Sequence, residues 1–84
     1  MYAVELLPTA ARALAKLEKA DRRRIAARID RLAEEPRGGG AIKLRGAEDI
    51  WRVRVGDHRI LYAIEDERLL ILIVRIGHRR EVYR

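Results

Sequence analysis

The stretch IWRVRVGDHRILY, residues 50–62, decides the fold. As far as Val55 it alternates, with Trp51, Val53 and Val55 on one side of an extended chain and Ile50, Arg52 and Arg54 on the other. Gly56-Asp57 then reads as a two-residue turn with glycine first, a type II′ hairpin signal. That turn sets a register. Val55 pairs with His58, Arg54 with Arg59, Val53 with Ile60, Arg52 with Leu61 and Trp51 with Tyr62. Trp51, Val53, Ile60 and Tyr62 therefore share a face suited to carrying helices. Arg52, Arg54 and Arg59 share the other, and two arginines directly opposite each other repel.

Toward the C-terminus, His58 to Glu65 forms the return strand. Asp66-Glu67 turns the chain into Leu69 to Ile76, apolar on both faces and so expected at the centre of a sheet. The continued register places Leu70, Leu72 and Val74 beside Arg54 and Arg59, and strand alternation carries His78 to that same face. Toward the N-terminus, Pro36 and Gly38-Gly39-Gly40 end a helical region. The triglycine is not followed by Gly-Lys-Ser/Thr, so it is not a nucleotide-binding loop. Before it, Asp21 caps a helix to about Glu35 with Ile25, Ile29 and Leu32 on its buried stripe. Thr9 caps another to about Lys19, with Ala10, Leu14 and Leu17 on one face. The two are joined so closely that they form an antiparallel hairpin. Tyr2 to Leu7 is a first strand ended by Pro8. The order gives an α+β fold: an N-terminal strand, an antiparallel helical hairpin, then a mostly antiparallel sheet of three further strands.

Eighty-four residues make one small domain, 1–84. Hydrophobic residues at 49% beside 38% charged ones suit a globular chain and argue against disorder. With no cysteine there is no disulfide, thiol nucleophile or cysteine-based metal site. Only His58 and His78 could supply imidazole ligands, and no ligand spacing supports a metal. The longest apolar run, Leu69 to Val74, is far short of a membrane span. The opening residues lack a cationic region followed by an apolar stretch, so no secretion signal is expected and the expected compartment is the cytoplasm.

Charge is more informative. The formal net charge is +6, and 16 of the 19 basic residues are arginine, whose planar fork holds phosphate or carboxylate. Around the second helix, Arg22, Arg23, Arg24, Arg28 and Arg31 read as a solvated face partly neutralised by Asp30, Glu34 and Glu35. The Arg52, Arg54 and Arg59 cluster differs, because its apolar neighbours suit binding more than solvation. Its occupant is either phosphate or an acidic partner. Residues 77–83, GHRREVY, add the remaining groups. A bend at Gly77 would bring Arg79, Arg80 and Tyr83 to the arginine face with His78. Guanidinium groups lower the pKa of a neighbouring phenol. Such a phenol can take a proton from a ribose 2′-hydroxyl while arginine holds the phosphorane charge. Tyr83 fits a terminal packing role equally well. His58 reads as a strand-end residue facing the core side.

Residues 51–62, the acidic turn Glu65-Asp66-Glu67 and residues 77–83 together resemble the RelE toxins of the RelE/ParE superfamily. Pro36, the segment Lys43-Leu44-Arg45-Gly46, the opening strand and the helical pair follow the same pattern, so the resemblance spans essentially the whole chain. It implies the toxin of a type II toxin–antitoxin pair, with a cognate acidic antitoxin as partner. It implies an endoribonuclease that enters the ribosomal A site and cuts messenger RNA there, using no metal or other cofactor. The 2′-hydroxyl attacks the adjacent phosphate, leaving a 2′,3′-cyclic phosphate and a 5′-hydroxyl. The family's two basic strand positions fall on Arg52 and Arg54 and its hairpin arginine on Arg59. Its phosphate-stabilising arginine falls on Arg79 and its proton-transferring tyrosine on Tyr83. Lys43, Arg45, His78 and Arg80 complete the expected RNA contacts. The chain departs from the family in three places. Arg52 and Arg54 replace the lysines of well-known members and cannot carry protons. The segment before Glu81 is shorter than in some members, so Arg79 and Arg80 compete for one role. The chain stops just after Tyr83, without the C-terminal helix of longer members. A ParE-type toxin, which poisons DNA gyrase by protein–protein binding, is the alternative. RNA chemistry needs the arginine cluster with Tyr83, and gyrase binding does not.

Overall fold

The computed structural model describes residues 1–46 and 49–78. Their order is β1 (Ala3–Leu6), α1 (Pro8–Lys16), α2 (Lys19–Glu34), β2 (Ile42–Lys43), β3 (Ile50–Val55), β4 (His58–Glu65), a 3₁₀ turn over Asp66–Arg68, and β5 (Leu70–His78). The strands form one sheet in the order β1-β5-β4-β3-β2. β1 runs parallel to β5, and the other neighbours are antiparallel. The fold is α+β, and β5 has a strand on each side, as its apolar sequence demands. The sheet holds one strand more than the sequence pattern shows. The extra one is β2, whose two residues pair with Arg52 and Trp51 and are too short to produce a period.

The helices start earlier than their best capping residues suggest. Leu7 is the N-cap of α1, without a side-chain cap, and Pro8 takes the first helical position, so Thr9 lies inside the helix. A proline there gives up no hydrogen bond, and its fixed φ already suits the helix. α2 likewise starts after Glu18, with Asp21 in its first turn, where a carboxylate opposes the helix dipole and pairs with Arg24. Only Leu17 and Glu18 separate the helices.

The β3–β4 hairpin has the register read from the sequence, pair for pair from Trp51↔Tyr62 to Val55↔His58. Gly56 has φ +60° and Asp57 does not share the positive φ, as a type II′ turn requires. The β4–β5 pairing breaks that simple continuation. Tyr62 pairs with Ile73 but Leu61 pairs with Arg75, so Val74 is an extra residue. In such a bulge two residues oppose one, and the alternation beyond it shifts by one.

The core lies between the helices and one face of the sheet. Ala10, Ile25, Ile29 and Leu32 pack onto Val53, Ile60, Tyr62, Ile71, Ile73 and Ile76. Removing one of the large aliphatic side chains would cost about 2–5 kcal/mol. The buried Tyr62 hydroxyl donates to the Pro36 carbonyl at 2.6 Å, tying the end of the helical region to the sheet. No helix among the described residues is long and apolar enough to cross a membrane.

Candidate functional site

The face of the sheet away from the core carries the arginines. Two rows run across β3, β4 and β5: Arg52, Leu61 and Arg75 in one, Arg54, Arg59 and Gly77 in the next. Ile42 of β2 extends the first row beside Arg52. Alternation from Leu61 and Arg59 puts Ala63, Leu70 and Leu72 farther along this face. Leu70 is only 5% exposed yet stands outside the core cluster that the helices cover. The floor is therefore apolar and the charges stand at one end of it.

Arg54 is exposed, whereas Arg59, directly opposite, is 6% exposed. The Arg59 Nη1 lies 3.5 Å from the His58 carbonyl oxygen. Holding a guanidinium largely out of water beside a second one works against folding. The same arrangement presents planar donors to an anion in a partly dehydrated setting, where each is worth more than in water. Gly77 completes the row without a side chain.

The structure brings together Arg52, Arg54 and Arg59 and adds Arg75, which the sequence pattern hides inside an apolar run. It does not bring His78 to them. The bulge at Val74 returns His78 to the helix side, where it pairs with His58, the rings meeting edge to face at 5.9 Å. Val74 and Arg75 together oppose Leu61, so Val74 stays on the arginine side. Lys43 is aligned with Trp51 and so lies on the core side of the sheet. Arg45 is exposed in the turn after β2. Arg79, Arg80 and Tyr83 lie outside the described residues.

A second group of polar side chains gathers at the opposite end. Asp66 accepts hydrogen bonds from the Tyr2 hydroxyl at 2.6 Å and from Arg37 at 2.7 and 3.2 Å. The Arg37 guanidinium stands 5.6 Å from the centre of the Trp51 ring. The Arg37 and Tyr2 hydrogen bonds hold the Asp66 carboxyl below its usual range, and the same carboxylate raises the Tyr2 hydroxyl. These contacts tie β1 and the loop after α2 to the β4–β5 turn, keeping the end of the sheet in place.

A family profile described as the ParE toxin of the type II toxin-antitoxin system parDE matches residues 4–83. The chain is 34% identical over 87 residues to the toxin RelG of Mycobacterium tuberculosis, an alignment spanning 99% of this chain and 97% of the relative. It superposes on RelE in the archaeal RelE–RelB complex of Pyrococcus horikoshii OT3 with a TM-score of 0.82 at 31% identity, covering 96% and 98% of the two chains. On the isolated Escherichia coli RelE toxin the TM-score is 0.84 at 25% identity, covering 99% and 92%.

Proposed function

Because the chain belongs to the RelE/ParE superfamily of type II toxin–antitoxin toxins, on its RelE side, we propose that it is an endoribonuclease that cuts messenger RNA in the ribosomal A site. The observation that carries this reading is the arginine pair Arg54–Arg59 with Arg52 and Arg75 on a sheet face the helices leave open. Guanidinium groups gathered on one sheet face are the donors that position a nucleic-acid backbone through its phosphates.

Arg52 and Arg54 hold RNA phosphates in the ground state. Tyr83 takes the proton of the 2′-hydroxyl as its oxygen attacks the adjacent phosphorus. Arg59 and Arg79 stabilise the dianionic phosphorane. The P–O5′ bond breaks, the 5′-oxygen regains a proton, and a 2′,3′-cyclic phosphate remains. Neither Arg52 nor Arg54 can move protons at neutral pH, so acid–base work rests on Tyr83 and on the substrate's alignment. The ribosome supplies that alignment. The archaeal relative was solved as a complex with RelB, and by that likeness the partner here is a cognate acidic antitoxin. The expected setting is the cytoplasm, where translating ribosomes are found.

The test is cleavage of messenger on programmed ribosomes against cleavage of the same RNA free in solution. Ribosome-bound message should be cut well and free RNA poorly, with cyclic phosphate at the new 3′ ends. Tyr83→Phe and Arg79→Ala should each slow single-turnover cleavage by at least about a hundredfold, while ribosome binding changes little. If both variants cleave at full rate, the chemistry assigned to the final residues is wrong. If the protein arrests growth without cutting RNA and inhibits gyrase instead, the ParE reading takes its place.

A further inference from the structure

On the helix side of the sheet, α1 and the ends of β4 and β5 enclose a groove of about 380 Å³. Its polar wall is Thr9, Arg12, Lys16, His58 and His78, over an apolar floor. Arg12 and Lys16 are four residues apart and lie on one helix face. His58 and His78 face them from paired positions on β4 and β5. No carboxylate lines this groove among the described residues. The groove beside Gly38 has Glu34 and Glu35, and the one at Trp51 has Asp49 and Glu65 to Glu67.

That absence distinguishes the groove from ordinary arginine-rich surface. On α2 the cations are interspersed with Asp21, Asp30 and Glu34, as solvation and stability favour. In the α1 groove two permanent cations and two protonatable rings converge in a concavity, which focuses their field on whatever enters. The charges of Arg12 and Lys16 disfavour a metal ion. Thr9 and the imidazoles add short-range donors that match the acceptor oxygens of a phosphate.

The groove also adjoins the arginine face. β1 pairs with β5 only as far as Ile73, and Arg75 follows just beyond. Arg75 stands in the Arg52 row and also borders a smaller cavity with Thr9 and Ala13 of α1. Basic side chains thus continue from one side of the sheet, round the β5 edge, to the other. We propose that the Thr9, Arg12, Lys16, His58 and His78 groove binds a backbone phosphate of the RNA whose reacting phosphate lies on the arginine face. This rests on the ribonuclease reading for its source of phosphate, but the site can be tested without cleavage.

The chain has only two histidines, so proton NMR of their imidazoles reads the groove directly. The probes are inorganic phosphate and a short single-stranded DNA oligonucleotide, which has no 2′-hydroxyl to react. Both should shift both imidazole signals saturably. Arg12→Gln with Lys16→Gln, at exposed helix positions, should weaken both titrations at least about tenfold, the scale of one charge-assisted hydrogen bond. Arg12→Lys with Lys16→Arg should restore them. Arg52→Ala should weaken the oligonucleotide titration and leave the phosphate titration unchanged. Shifts that never saturate, or that are identical in the Gln variant, overturn the site. Saturation by phosphate but not by the oligonucleotide overturns the backbone assignment, and tighter binding of a polyglutamate peptide assigns the groove to an acidic protein instead. A Gln variant with unaltered titrations and normal cleavage would reject the groove alone. Saturable, Arg12-dependent binding in a protein that cuts no RNA would reject the ribonuclease reading alone.

Discussion

Arg54 and Arg59 face each other across β3 and β4, and the fold gains nothing from that pairing. Like charges at opposed positions on a sheet are destabilising by up to about 1 kcal/mol. Arg54→Gln should therefore leave the urea midpoint unchanged or raise it, while cleavage on the ribosome falls. A drop in both would make Arg54 a structural residue and count against its role in binding RNA. Tyr62 is the opposite case, a polar group whose value lies wholly in the fold. Burial pushes its hydroxyl pKa up to about 12, so the folded chain holds this proton more tightly than the unfolded chain does. The stability it contributes is then complete below about pH 10 and is lost as pH rises through 12, by at most about 3 kcal/mol. Tyr62→Phe leaves the buried Pro36 carbonyl without its donor. It should cost about 1–3 kcal/mol near neutrality. Because the variant lacks the ionisation, its deficit should shrink across that alkaline window. Urea titrations of both proteins at a series of pH values measure it, and a constant deficit would contradict the assignment.

Among the elements, α2 begins on a cap that does little. Glu18 occupies the N-cap, is exposed and makes no side-chain cap hydrogen bond. Glu18→Ser places a hydroxyl within reach of the free amides of the first turn and should add about 0.5–1 kcal/mol, read as a higher urea midpoint. The same feature shows why helix limits were hard to read. Thr9 and Asp21 are the better cappers by residue type, but the chain uses the fixed φ of Pro8 and the two-residue Leu17-Glu18 connection. The β3–β4 hairpin was legible because its information is local: a glycine-first turn and five residues alternating on each side of it. The bulge was not. Val74 carries no glycine or proline to mark it, and the shift arises from how β5 meets both β4 and the core. One unmarked residue moved His78 to the other side of the sheet and left Arg75 unnoticed among isoleucines and valine. The arginine face was thus readable where pairing follows the turn and unreadable beyond the bulge.

Across the whole molecule, a net charge of +6 could attract RNA without any particular face being involved. The placement of the charges argues otherwise. On α2 the cations are interspersed with Asp21, Asp30 and Glu34, and Arg24 pairs with Asp21. The sheet side gathers Arg52, Arg54, Arg59 and Arg75 over an apolar floor. Salt dependence separates these two accounts, because each phosphate neutralised on a single strand adds about 0.7 to the slope of log affinity against log salt concentration. Arg52→Gln and Arg54→Gln should each flatten that slope by about 0.7 for a non-cleavable oligonucleotide. Arg22→Gln and Arg23→Gln remove the same formal charge from the exposed α2 surface and should leave it unchanged. Overall charge is equal in the two sets, so any difference must come from where the phosphates sit. Equal flattening in both sets would mean that RNA is held diffusely by net charge, and the sheet face would lose its claim to be the site.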